Sequence, residues 1–130
     1  MTPILEIGEA RVFESLPIVD YLEDVFPEKS LFPKDPLLKA YDRIIVEIQK
    51  EIQNIFYQTI KKPETVNDEL VKSYHRTLSI IQDEIIKRGG KFLGGNQPGY
   101  ADYMIWPWFE RIMPFVDIYP TLKIEAPKFK

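Results

Sequence analysis

Eleven prolines constrain this chain more firmly than any other feature. Proline lacks a backbone N–H and fixes φ, so helix interiors and central strands largely exclude it. Most of the prolines fall between apolar-periodic runs and punctuate the chain. What they leave is a short extended stretch followed by a series of amphipathic helical runs. There is no internal repeat and no low-complexity tract.

The 130 residues suffice for one compact domain or the pieces of two. With 45% hydrophobic and 28% charged residues, the chain has a globular balance rather than a disordered one. A net charge of -3 is weak and of the wrong sign for nucleic acid, so no such partner is expected. No apolar run is long enough to span a bilayer. Glu6, Glu9 and Glu14 interrupt any signal-peptide core, so a cytoplasmic protein is expected. The chain has no cysteine, which rules out disulfides, thiolate catalysis and cysteine–metal sites within it. One histidine, His75, argues against a histidine metal centre, and no metal is expected.

Ile4 to Ile7 and Ala10 to Phe13 read as two strands joined by Gly8-Glu9, with glycine supplying the positive φ of a tight hairpin. Ser15 reads as a helix N-cap, with Pro17 in the first turn. The helix carries Leu16, Val19, Leu22 and Phe26 on one stripe, and Pro27 ends it. Two strands and one helix bury too little surface to stand alone. The segment therefore reads as part of a larger sheet, with an exposed edge at Ile4 to Ile7 and poor solubility expected of the stretch by itself.

Pro27 to Asp35 reads as an extended connector pinned by Leu31-Phe32. Asp35-Pro36 then opens a long helix reaching nearly to Pro63, with Ile44, Phe56 and Ile60 widening its apolar face. Thr65 with Asp68 resembles a capping box for a second helix through Leu70, Tyr74, Leu78, Ile81 and Ile85. Lys87-Arg88-Gly89-Gly90 closes it, with basic residues facing the dipole. A third helix starts near Gly99, and Pro107 should kink or restart it. Beyond Pro114 the pattern fades, and the chain reads as cut at this end as well. Trp106 reads as core, and core is also the plain reading of Trp108. His75 reads as a partly buried helix residue and is assigned no role.

Several residues carry a family resemblance across nearly the whole chain. They are Thr2-Pro3-Ile4-Leu5-Glu6, Phe13-Glu14-Ser15, Tyr21-Leu22, Phe92-Leu93-Gly94-Gly95-Asn96 and Ala101-Asp102-Tyr103. In that order they resemble the second half of the thioredoxin-like domain, then the helical domain, of cytosolic glutathione transferases. Ile105-Trp106-Pro107-Trp108-Phe109-Glu110-Arg111 is similar to the omega class in particular. The resemblance implies a mostly α chain: a β-hairpin plus helix ending a thioredoxin-like α/β domain (1–26), a linker (27–35) and a truncated all-helical C-terminal domain (36–130).

The resemblance also implies roles. Pro3 matches the cis-proline before a sheet strand, and Thr2 the residue whose backbone pairs with glutathione like an added strand. Glu14 and Ser15 match the pair holding the γ-glutamyl end. A carboxylate suits its ammonium, while a helix N-terminus with a hydroxyl suits its carboxylate. Read plainly, Ser15 is an N-cap and Glu14 a solvated charge. Trp108 and Arg111 match positions near the electrophile pocket; Arg111 reads otherwise as a surface or ion-pairing residue. Asp102 matches the acid that returns a bond to the cap's N–H. Glycine at position 99 loses the other half of that box, at a few tenths of a kcal/mol.

The family's nucleophilic cysteine would precede Met1. The complete protein is thus expected to be a cytoplasmic homodimer that uses glutathione as co-substrate. Its expected work is thiol transfer, such as dehydroascorbate reduction, together with detoxifying conjugation of small electrophiles, while this cysteine-free piece alone is inactive. The alternative is a non-catalytic transferase-like binding or assembly module, as in translation-factor complexes. A helical interaction protein without ligand is a third reading, which Glu14-Ser15 and Thr2-Pro3 disfavour.

Overall fold

A computed structural model describes residues 3–124. The chain divides into two compact units, Met1–Leu31 and Phe32–Lys130.

In the first unit, β1 (Ile4–Ile7) and β2 (Ala10–Phe13) pair antiparallel, with Ile4 opposite Phe13 and Ile7 opposite Ala10. The two-residue turn works because Gly8 takes φ 60°, a region where it has no Cβ to clash. Glu6 and Arg11 are direct cross-strand partners and pair at 3.0 Å. Both are solvated, so the pair contributes at most about 1 kcal/mol. Helix α1 (Ser15–Val25) follows, and Phe26 closes it by donating its N–H to the Leu22 carbonyl. Ser15 is not the cap that its residue type predicts. Glu14 turns the chain out of β2 within one residue, so the cap position falls on Glu14 and Ser15 becomes the first helical residue. None of this unit's described residues is fully buried.

The second unit begins as its sequence predicts. The Asp35 carboxylate accepts from the Leu37 N–H at 2.8 Å, and Pro36 takes the first position of α2 (Pro36–Ile48). The single long helix expected here is in fact two. Gln49, with ψ −11°, separates α2 from α3 (Lys50–Lys61). Ile45 and Val46 before the break and Ile52 and Ile55 after it are all buried.

The expected Thr65–Asp68 box also fails. Asn67 caps α4 (Asp68–Arg88) by accepting from the Leu70 N–H at 3.0 Å, while the Thr65 hydroxyl donates back to the Lys62 carbonyl. At the other end Gly89, φ 69°, closes α4 as expected.

Helix α5 (Tyr100–Ile112) runs through Pro107 without stopping. It lays Ala101, Ile105 and Ile112 into a core shared with Ile52, Ile55, Leu78 and Ile81. Phe32 docks its ring on Tyr100, centroids 4.0 Å apart, with the Lys39 ammonium 4.4 Å over it. Past α5 the chain returns: Leu122 is fully buried, and the Tyr74 hydroxyl donates to its carbonyl at 3.1 Å. A lone buried leucine in a short turn leaves no periodic signal, which is why the sequence pattern fades there. No helix among the described residues is long and apolar enough to cross a membrane.

Candidate functional site

Glu14 is the one described non-glycine residue with positive φ, at 71° with ψ 133°. That backbone is strained, costing on the order of 1–3 kcal/mol. It delivers Glu14 and Ser15, both exposed, at the N-terminus of α1. The first turn of α1 carries no acidic side chain, and the one carboxylate at this helix start is that of Glu14 at the cap position. The hairpin register decides what lies beside them. Because Ile4 pairs with Phe13, Pro3 and Glu14 flank that pair at the same open end of the ladder. Proline, acid and hydroxyl thus share one edge of the first unit. Thr2 lies outside the described residues.

In the second unit, Asp102 organises the loop that leads into α5. Its carboxylate accepts from the N–H groups of Leu93 at 2.9 Å, Gly94 at 2.8 Å and Gly99 at 2.8 Å. Gly94 has to be glycine, since a Cβ there would collide with the backbone of Gln97 and Gly99.

Trp108 is half-buried, edge-on to Phe56 and Tyr57 of α3 at 5.9 and 5.8 Å. The Arg111 guanidinium lies 4.8 Å from the Trp108 ring centre, in a cation–π contact. Trp106, expected in the core, is instead 62% exposed. Two residues along a helix turn the side chain by about 200°, so Trp106 and Trp108 emerge on opposite flanks of α5. Phe56 and Tyr57 complete the Trp108 cluster; their only sequence signal was apolar breadth on α3.

A family model described as the glutathione S-transferase C-terminal domain matches residues 64–129, just over half of the chain. The chain belongs to the glutathione S-transferase family. Among curated proteins it is similar to pyrimidodiazepine synthase of Drosophila melanogaster, 35% identical over 85% of this chain and 44% of that protein. It is also similar to glutathione S-transferase omega-1 of Mus musculus (32% identical, 86% and 47%) and of Sus scrofa (27%, 95% and 54%). A solved glutathione S-transferase from Legionella pneumophila matches with TM-score 0.62 and 25% identity, over 98% of this chain and 73% of that one. The chain spans about half the length of the curated relatives it matches.

This member of the family also holds a buried charge network that the spacing of its residues does not announce. Arg88, at the end of α4, donates to Asp42 of α2 at 2.7 Å, to Glu84 at 3.0 Å and to the Leu93 carbonyl at 2.9 Å. Its place in the last turn of α4 predicts a basic residue facing the helix dipole, and its side chain is 8% exposed. The available signal was Asp42, a charge set among Leu38, Ile45 and Val46 on an apolar stripe. Burial raises the Asp42 pKa, outweighing the pull of Arg88. Burial also acts to lower the Arg88 pKa, but the bonds to Asp42 and Glu84 more than offset it and leave it raised. No described cluster of acidic or histidine side chains is arranged to hold a metal ion.

Proposed function

We propose that this chain supplies the γ-glutamyl grip of an omega-type glutathione transferase, with glutathione as co-substrate. The observation that carries the reading is the strained Glu14 backbone, which sets an acid and a hydroxyl together at the start of α1 beside Pro3. Strain in a non-glycine residue persists where the surroundings hold it in place for a purpose. In the proposed complex the Glu14 carboxylate binds the ligand's ammonium. Ser15 and the first-turn N–H groups bind its carboxylate, and the backbone of Thr2 pairs with its cysteine in the manner of an added strand.

The reaction proposed for the complete protein is glutathione-dependent thiol transfer, including dehydroascorbate reduction, with weaker conjugation activity in a detoxifying role. A thiolate must do that chemistry, and this chain contains no cysteine. The nucleophile proposed for that chemistry is a cysteine of polypeptide outside this sequence, and the chain alone is proposed to be inactive. Trp108 and Arg111 are proposed to border the electrophile, with Asp102 as a structural residue. The domain limits proposed are 1–26, 27–35 and 36–130, and the proposed assembly is a cytoplasmic homodimer. The absence of cysteine favours a second reading for the chain as it stands, a non-catalytic binding or assembly module.

Calorimetric titration with glutathione tests the grip. Saturable binding by the chain joined to the N-terminal segment of an omega relative is expected, with Glu14→Gln weakening it about tenfold, the scale of one charge-assisted hydrogen bond. No saturable binding by that protein would overturn the transferase reading and leave the assembly module.

A further inference from the structure

Of the nine serines and threonines in the chain, Thr65 alone has an acid three residues on, Asp68, and Glu69 follows it. That spacing suits a capping box, but Asn67 caps α4 instead, so the motif is left without a structural task. Thr65, Asp68 and Glu69 are all exposed, and among the described residues no hydrogen bond or ion pair holds either acid. Thr65 ends a short turn, and Val66 and Asn67 beyond it are extended, at ψ 107° and 171°. A polar cleft of about 280 Å³ lies beside Thr65, lined also by Gln58, Asn67 and Glu69. An accessible hydroxyl, an extended stretch and two carboxylates open to solvent form a surface that a basic partner site can read.

We propose that Thr65 is the phosphorylation site of an acid-directed protein kinase, and that its phosphate unfastens the corner between α3 and α4. In the transfer, the Thr65 Oγ bonds to the γ-phosphorus of the kinase's ATP as the bond from that phosphorus to ADP breaks. The hydroxyl proton passes to the kinase's catalytic base. The corner depends on that proton. The Thr65 hydroxyl lies 2.7 Å from the Gln58 side-chain oxygen and 2.7 Å from the Lys62 carbonyl, and its one hydrogen serves both. A phosphate ester has no such hydrogen. Its charge of about −1.5 to −2 is also repelled by Glu64, Asp68 and Glu69. Lys62 is solvated and offsets little of this. Thr65 lies outside α4, whose cap is already Asn67, so the helix dipole offsets little either. No residue proposed to bind glutathione takes part, so this site stands or falls independently of that reading.

The test incubates the 130-residue chain with ATP, Mg²⁺ and casein kinase II, an acid-directed enzyme, and maps phosphate by mass spectrometry. One phosphate is expected, on Thr65, and none on Thr65→Ala. Asp68→Asn combined with Glu69→Gln should slow the transfer about tenfold, with circular dichroism verifying that the variant is folded. Phosphate on another hydroxyl, no phosphate, or an undiminished rate in the double variant overturns the site. Hydrogen exchange then reads the corner, where the Thr65 and Val66 N–H groups donate to the carbonyls of Lys62 and Pro63. Both amides should exchange about tenfold faster in the phosphorylated chain, close to their rates in Thr65→Ala. Exchange as slow as in the unmodified chain overturns the unfastening.

Discussion

Glu14 carries the one positive φ among the described non-glycine residues. At φ 71° a side chain pays steric strain that glycine would not. Glu14→Gly should therefore stabilise the hairpin–helix unit by about 1 kcal/mol, after allowing for glycine's greater freedom in the unfolded chain. The same change should abolish the proposed glutathione contact. Denaturant melts of the protein joined to a complete thioredoxin-like domain, run beside calorimetry, read both quantities. A Glu14→Gly variant that is less stable than the parent would show that the residue is not strained in solution. Trp106 teaches a related lesson about single residues. Its large apolar ring suggested core, yet its neighbour Ile105 holds the inward position and a single step along the helix carries Trp106 outward.

At the scale of elements, helix ends decide where the second unit begins and turns. Asp35 and Asn67 each accept an N–H two or three residues on, and Gly89 closes α4 in the left-handed region. The entry to α5 relies more heavily on one side chain. Asp102 satisfies three loop N–H groups that have no helical partner, and Gly99 supplies no side chain to share the task. Asp102→Ala should destabilise the chain by about 3–5 kcal/mol, since each stranded donor costs about 1–3 kcal/mol and not all are deeply buried. Asp102→Asn keeps one acceptor oxygen and should lose roughly half as much. Thermal melts of the two variants give the comparison; equal losses would show that the carboxylate's second oxygen contributes nothing.

Across the whole second unit, the Asp42–Arg88 pair fastens α2 to the end of α4 and, through the Leu93 carbonyl, to the loop before α5. Asp42→Ala leaves a buried guanidinium with Glu84 as its remaining carboxylate partner and should cost about 3 kcal/mol. Asp42→Asn keeps an oxygen for Arg88 and should cost less. The two also differ in pH behaviour. The folded-state pKa of Asp42 lies above its unfolded value, so the folded chain holds that proton more tightly. The stability this contributes is fully present below the unfolded pKa and is lost as pH rises through the folded one. Measured from acid to neutral pH, the stability of the parent relative to Asp42→Asn should therefore fall. A relative stability that rises over that interval would mean that Arg88 outweighs burial.

Much of this architecture follows from local chemistry that any reader of the sequence can apply. The hairpin follows from two β-rich runs around Gly8, α2 from Asp35-Pro36, and the end of α4 from its basic turn and Gly89, because each depends on residues within a few positions of one another. The order of those pieces and the Trp-Pro-Trp-Phe-Glu-Arg run were enough to place the chain in its family. Other features required the chain to be folded. The break at Gln49, the burial of Leu122 and the pairing of Asp42 with Arg88 all join residues far apart in sequence. Their energies come from packing, desolvation and charge pairing, none of which exists until distant segments meet; local spacing marks at most Asp42 as a charge on an apolar stripe and does not name its partner.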